Sequence, residues 1–193
     1  MLHGRMATAQ DKFKELLADD FSPWLKARGF KRRDTTFRRR RDTAWQIVNF
    51  QRSQFSDASD VPFTVNLGVA LDVLYDEPSW GSRGWPLEYE CDFRERIGQV
   101  YRGEDHWWKA RPLRPTRGMM KDVLGALESA LRWLDTHADP RAFLKHAVHD
   151  PSRVNALNLA SLVALAKKVG DEADVEAAEA ELRRWQQGER LAF

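Results

Sequence analysis

Residues 24–71 read WLKARGFKRRDTTFRRRRDTAWQIVNFQRSQFSDASDVPFTVNLGVAL, and this stretch decides the fold. Between 62 and 72, apolar residues at every odd position alternate with smaller or polar ones. A strict period of two predicts a strand with one face on the core and one polar face. Three earlier strands are predicted at 30–33, 35–41 and 44–53, the first two as a hairpin around Asp34. Because the connections are short, we expect antiparallel pairing.

Helical periodicity lies on both sides of these strands. Residues 7–28 place apolar side chains at helical spacing, and Gly29 is a natural stop. Pro23 predicts either a kink or a second short helix with Ser22 as its N-cap. Later helices are predicted at 117–137, 140–148, 151–168 and 171–187, the last two as a hairpin that turns at Gly170.

A further strand is predicted over 87–93. Its pattern alternates Leu87, Tyr89, Cys91 and Phe93 with Glu88, Glu90 and Asp92. A period of two places the first set towards the core and the three carboxylates together on the polar face.

Together these elements predict an α+β fold. An antiparallel sheet of about 4–5 strands is packed by an N-terminal helix and a later long helix, as layered packing requires. A C-terminal helical hairpin follows. We expect an α+β domain over 7–150 and the hairpin over 151–187, docked on the same domain.

The composition describes a soluble globular protein with an uneven charge. The chain has 193 residues, one cysteine and a net charge of +2. A single cysteine builds neither a disulfide nor a cysteine-based zinc site, which favours a reducing, cytoplasmic location. The stretch 26–52 holds ten basic and two acidic residues, so its own net charge is +8. No apolar run is long enough to span a membrane, and no membrane partner is expected.

The basic stretch permits three interpretations. In the first, Lys31, Arg32, Arg33 and the run 38–41 contact nucleic-acid phosphates, with aromatic residues nearby for stacking. In the second, the charges keep an edge strand soluble or pair with the 88–92 carboxylates across the sheet. In the third, the partner is an acidic protein.

Two further sets of residues suggest a binding surface. Asn49, Gln51 and Asn66 are predicted to line one polar sheet face, where carboxamides offer donors and acceptors to a peptide or a base edge. The alternative is a satisfied polar network under a covering loop. The tryptophans in irregular stretches either mark a binding surface or cover the core; they are Trp80, Trp85, Trp107 and Trp108.

Signals for catalysis are weaker. The 88–92 carboxylates suit a divalent ion, but no further acid, histidine or lysine motif accompanies them. His146 and His149 have a spacing that can ligate a metal, with His137 nearby, and a surface pair is the alternative. The segment 81–84 lacks the lysine and helix start of a phosphate-binding loop. We therefore predict no catalytic residue, no cofactor and no bound metal.

Six short motifs follow one another in a fixed order. They are Gly29-Phe30-Lys31-Arg32, Thr36-Phe37-Arg38, Val48-Asn49-Phe50-Gln51, Val65-Asn66-Leu67-Gly68-Val69, Arg94-Glu95-Arg96-Ile97-Gly98 and Trp107-Trp108. In this order, over about residues 10–137, the chain resembles the uncharacterised bacterial domain-of-unknown-function family 4304. The resemblance implies a small α+β bacterial domain and assigns no activity to any residue.

The leading hypothesis is a non-enzymatic cytoplasmic interaction domain that binds a protein, of immunity type or regulatory, through a polar, arginine-rich sheet surface. The predicted binding residues are Arg38, Arg40, Asn49, Gln51, Arg52, Asn66, Trp107 and Trp108. A nucleic-acid-binding module that uses the stretch 26–52 is the alternative, and a metal-dependent enzyme that uses the 88–92 carboxylates is the second alternative.

Overall fold

A computed structural model describes residues 8–76, 78, 80–112, 114–150 and 154–189. The strands are β1 (Lys31–Arg33), β2 (Thr36–Arg41), β3 (Ala44–Arg52), β4 (Val61–Leu71), β5 (Phe93–Arg96) and β6 (Trp108–Ala110). The helices are α1 (Ala9–Glu15), α2 (Ser22–Lys26), α3 (Ile97–Arg102), α4 (Arg117–Ala138), α5 (Pro140–His149), α6 (Leu159–Val169) and α7 (Glu172–Gln186). The fold is α+β, as predicted.

The strands form one open sheet. Its order is β1-β2-β3-β4-β5, and β6 pairs with β4. The hairpin of β1 and β2 turns at Asp34, which has a positive φ of 55°. The predicted antiparallel sheet is therefore confirmed. The short strand β6 is an addition to it, and its Trp108 pairs with Phe63 of β4.

The N-terminal helical run differs from a regular α-helix in its middle. Between α1 and α2, Leu16–Phe21 forms a π-helical segment, and the Ser22 N–H donates to the Leu17 carbonyl five residues earlier. Ser22 makes no side-chain cap, so the predicted N-cap at this position is wrong. The widened turns let the run continue through Pro23, which has no N–H to donate. Gly29, with a φ of +86°, ends the run as predicted.

Contacts divide the chain into two compact units. The first unit comprises the described residues of Met1–Arg39, Val48–Asn66 and Arg96–Leu131. The second unit comprises those of Arg40–Ile47, Leu67–Glu95 and Arg132–Phe193. The domain boundary expected near residue 150 stays a prediction.

Aromatic side chains build the core of the first unit. Phe21 stacks on Phe50 with ring centroids 5.0 Å apart, and Phe13 packs against Phe63 at 5.3 Å. Trp108 on β6 lies 5.9 Å from Phe63 on the paired strand β4. All five side chains are buried, so the N-terminal helical run and one face of these strands are held together by large apolar area.

In the second unit, the segment 87–93 departs from the predicted strand. Glu88–Glu90 is a single 3₁₀ turn, and Tyr89, expected inside, is 65% exposed. The Glu90 carboxylate accepts a hydrogen bond from the Leu87 N–H at 2.7 Å. Such local side-chain-to-backbone bonds compete with strand pairing. Cys91 does lie inside, as predicted, in an apolar cluster with Trp80.

The C-terminal helices confirm the predicted hairpin, since α6 packs against α7. Asp139 caps α5 by accepting from the N–H groups of Arg141 and Ala142. Residues 151–153, where the next helix was predicted to begin, lie outside the described residues. The described part starts α6 at Leu159, after a 3₁₀ turn over Ala156–Asn158 that Asn155 caps. None of the described helices is both long and apolar enough to cross a lipid bilayer.

Gly170 joins α6 to α7 at a point of very close packing. A Cβ atom there would lie 2.8 Å from the Ala166 carbonyl oxygen and 2.8 Å from Leu144 Cδ2. We expect Gly170→Ala to lower the free energy of unfolding by about 1–3 kcal/mol, because the surrounding atoms must shift. Urea unfolding followed by circular dichroism measures this change.

Gly118 provides the matched control. It lies in the first turn of α4, where an added Cβ meets no atom within 4 Å. Gly118→Ala is expected to leave stability unchanged or raise it by up to about 1 kcal/mol, through helix propensity. Equal effects of the two substitutions would contradict the packing argument.

Candidate functional site

Two arginines of the basic run form ion pairs within the second unit. Arg40 makes two hydrogen bonds to the Asp72 carboxylate, one of them from Nη1 to Oδ1 at 2.9 Å. Arg41 Nη2 lies 3.1 Å from Asp135 Oδ1. The alternative that pairs these charges with the 88–92 carboxylates does not hold for these two arginines, whose partners are Asp72 and Asp135. In the sheet, β5 follows β4, and β3 lies between β2 and β4.

In the first unit, further arginines bind backbone carbonyl groups and aromatic rings. Arg32 donates from Nε to the Asp34 carbonyl at 2.7 Å. The Arg39 guanidinium lies 4.7 Å from the centre of the Phe30 ring and donates to the Arg28 carbonyl. These contacts hold the guanidinium groups against the fold and leave fewer of them for a partner.

Arg38 was predicted to bind a partner, but it is only 7% exposed. It pairs in register with Lys31, and Arg33 pairs with Thr36, so Lys31 and Arg33 share its strand face. Lys31 and Arg33 are exposed. The exposed cationic residues beside Arg38 are therefore Lys31 and Arg33 of β1, while Arg40 and Arg41 at the end of β2 are exposed and ion-paired.

The three carboxylates predicted to share a strand face each bind a different partner. Glu88 pairs with Arg94 at 3.1 Å, and Glu90 pairs with Arg83 at 2.5 Å. Asp92 accepts from the Tyr75 hydroxyl at 2.7 Å and from a backbone N–H. Within the described part of the chain, no group of three or more His, Cys, Asp or Glu side chains is placed to hold a metal ion.

Asp92, Tyr75 and Cys91 are nevertheless neighbouring titratable groups, of which Cys91 is buried and the other two are half-buried. Burial raises the pKa of Asp92 to about 6, although the hydrogen bonds from Tyr75 and from the Leu71 N–H lower it. Burial also raises the pKa of the Tyr75 hydroxyl and that of the Cys91 thiol. A thiol held neutral in this way is a poor nucleophile.

His137 is half-buried, and its ring packs against aromatic side chains. Its ring stacks on Trp133 with centroids 3.8 Å apart, and Nδ1 lies 2.7 Å from the Trp133 carbonyl oxygen. Burial lowers the pKa of His137 to about 4. His146 and His149 lie in the last turn of α5.

The tryptophan pair at 107–108 is divided between core and surface. Trp108 is 4% exposed and donates from Nε1 to Asp122 at 2.8 Å. Trp107 is partly buried and donates to Asp105 at 3.0 Å. Partial burial raises the pKa of Asp122, but hydrogen bonds from Trp108 and Arg102 outweigh it and leave the pKa lowered. Trp108 is therefore part of the core and presents little surface to a partner.

The polar sheet face carries two hydrogen-bonded side-chain pairs, which together contain three carboxamides and one hydroxyl. Asn49 Nδ2 donates to Thr36 Oγ1 on β2 at 2.8 Å. Asn66 Nδ2 on β4 donates to Gln51 Oε1 on β3 at 2.7 Å. We call these four residues the amide row. The structure thus brings together three predicted binding residues from two strands, and Thr36 joins them.

A groove of about 560 Å³ opens at the end of β3 beside the amide row. The lining residues are Gln10, Thr35, Asn49, Phe50, Gln51, Arg52, Ser53, Gln54 and Ser56. Among them, Arg52 carries the single formal charge. Three predicted binding residues therefore line one concave surface.

Sequence reasoning missed the rest of this lining. Gln10 reaches the groove because its Nε2 donates to the Asp57 carbonyl at 2.7 Å across 47 residues of sequence. The Ala9 N–H adds a bond to the Ala58 carbonyl at 2.8 Å. Ser53, Gln54 and Ser56, directly after β3, are the signal that indicates a polar loop.

Comparison with known proteins identifies a family. The family model described as Domain of unknown function (DUF4304) matches residues 21–136 and therefore more than half of the chain. Searches of curated proteins and of solved structures gave no significant match.

The raised pKa of Asp92 predicts a pH-dependent stability. The folded-state pKa of about 6 exceeds the ordinary value near 4, so folding favours the protonated carboxyl and this contribution is lost as pH rises through 6. The parent protein loses this contribution between pH 4 and pH 7.5, whereas Asp92→Asn has no carboxyl to ionise. The difference in unfolding free energy between the two proteins should therefore change by about 2–3 kcal/mol in favour of the variant over this range.

Chemical unfolding of both proteins at several pH values measures this difference. His137 titrates in both proteins, so its own loss of stability on acidification cancels in the comparison. A difference that stays constant over the range would show that Asp92 ionises alike in the folded and unfolded states.

Proposed function

We propose that this chain, which belongs to the DUF4304 family, is a binding module that recognises a protein partner with the amide row and the adjoining groove. The observation that carries the proposal is the pairing of Asn49 with Thr36 and of Asn66 with Gln51 on one sheet face. A regulatory or immunity-type role fits a module of this kind.

Each carboxamide in the amide row has binding capacity to spare. Asn49 and Asn66 each use the NH₂ group in an intramolecular bond, so among the described residues their carbonyl oxygens have no protein partner. Gln51 accepts from Asn66 with its oxygen and keeps its NH₂ group. A surface with acceptors and donors side by side matches the C=O and N–H groups of another polypeptide.

The contacts that the arginines of the stretch 26–52 make within the fold favour a protein partner over a nucleic acid. Non-specific nucleic-acid binding needs several cations that release counterions from phosphates. Arg40 and Arg41 are neutralised by carboxylates, and Arg32 and Arg39 are held by carbonyl groups. The amide row itself is uncharged.

Removal of the amide groups tests the proposal. Asn49→Ala/Asn66→Ala is expected to fold normally, because both side chains are only partly buried, and to lose the partner because two hydrogen-bonding groups are absent. Each immobilised protein is incubated with cytosol of the source organism, and retained proteins are quantified by mass spectrometry. We expect a defined partner to be retained at least about tenfold less by the double variant.

The matched control is Gln186→Ala/Gln187→Ala, which removes two exposed amides near the end of α7. It should retain the partner as the parent protein does. Equal retention by all three proteins would refute the proposed surface. Salt-sensitive binding of labelled RNA or DNA by the parent protein would instead support the nucleic-acid alternative.

A further inference from the structure

Among the described residues that line the groove, Arg52 is the one with a charge, and its positive charge indicates which ligand the groove binds. Resting on the proposed function, we infer that the groove accepts an extended acidic segment of the partner, with a carboxylate on Arg52 and an apolar side chain against Phe55. The groove adjoins the amide row, because Asn49 and Gln51 belong to both.

Arg52 is an exposed cation without an ion pair among the described residues. Its guanidinium lies 5.9 Å from the centre of the Phe13 ring, which orients the side chain without using its N–H donors. By contrast, Arg96 and Arg102 of the same unit each contact an aspartate within 3.0 Å. Five donors in a planar fork match a carboxylate better than any other common protein group.

The remaining lining supports an extended polypeptide. Gln10, Gln51 and Gln54 line the groove and carry no charge. Their amide groups can each satisfy a peptide C=O or N–H as the segment passes. A nucleic acid would leave most of its phosphates without a cation in this lining.

Phe55 supplies an exposed apolar group on the loop that contributes to the groove. It is 82% exposed and lies between two groove-lining residues, Gln54 and Ser56. Its loop is ordered by local bonds, since the Phe55 N–H donates to Ser53 Oγ and the Ser56 hydroxyl donates to the Ser53 carbonyl. An aromatic ring that is exposed to solvent on a hydrogen-bonded turn has the properties of an interface anchor.

Selection from a phage-displayed library of random dodecapeptides on the immobilised full chain tests this inference. Enriched sequences should share an Asp or Glu close to an aliphatic or aromatic residue. Affinities of the synthetic, fluorescein-labelled peptides are then measured by anisotropy. Arg52→Gln is expected to weaken binding at least about tenfold, because a charge-assisted bidentate bond is lost. Arg52→Lys should recover only part of the loss.

Phe55→Ala should also weaken binding, without loss of folding, because the ring is exposed. Lys121→Gln, which removes an exposed cation on α4 outside the groove, should bind as the parent protein does. A double-mutant cycle pairs Arg52→Gln with Asp→Asn or Glu→Gln in the peptide. Direct contact predicts that the second change has little effect once the first has been made.

Three outcomes would overturn the inference: no peptide is enriched, the enriched peptides lack acidic residues, or Arg52→Gln leaves their affinity unchanged. These outcomes are separable from failure of the proposed function. A partner lost by Asn49→Ala/Asn66→Ala but kept by Arg52→Gln would support protein recognition by the amide row and refute the acidic segment.

Discussion

The alternation of side chains along β3 and β4 is the constraint on which both the core and the candidate site depend. Successive residues of a strand point to opposite faces, so burial of Phe50 and Phe63 under the N-terminal helical run sends Asn49 and Asn66 to the other face. A slip of one residue would exchange the two faces. The large apolar area of the phenylalanine core therefore also sets the position of the amide row.

Part of the positive charge of the stretch 26–52 is engaged in contacts within the fold. Carboxylates from distant segments neutralise Arg40 and Arg41, while carbonyl groups and aromatic rings hold Arg32 and Arg39. The net charge of +8 counted over this stretch is therefore larger than the positive charge available to a partner. Arg52 is different because its aromatic contact leaves the guanidinium donors available.

Prediction from the sequence succeeded where one physical signal dominated. The alternation over 62–72 gave the strand β4, and Asp139 followed by proline gave the start of α5. It failed over 87–93, where alternation competed with a carboxylate that bonds to a nearby N–H and stabilises a turn. The same competition explains why Asn155 caps a 3₁₀ turn before α6. Short-range polar bonds leave no periodic trace in a sequence.

The sequence by itself determined the α+β class, the main strands and helices, and the polar face on which Asn49, Gln51 and Asn66 lie, because hydrophobic periodicity encodes burial directly. Only the tertiary structure decided that Arg38 and Trp108 are buried, and that Gln10 joins Arg52 in one groove. Contacts between residues 47 positions apart, such as that of Gln10 with Asp57, depend on how the chain packs. That packing is a property of the whole fold, and no local pattern specifies it.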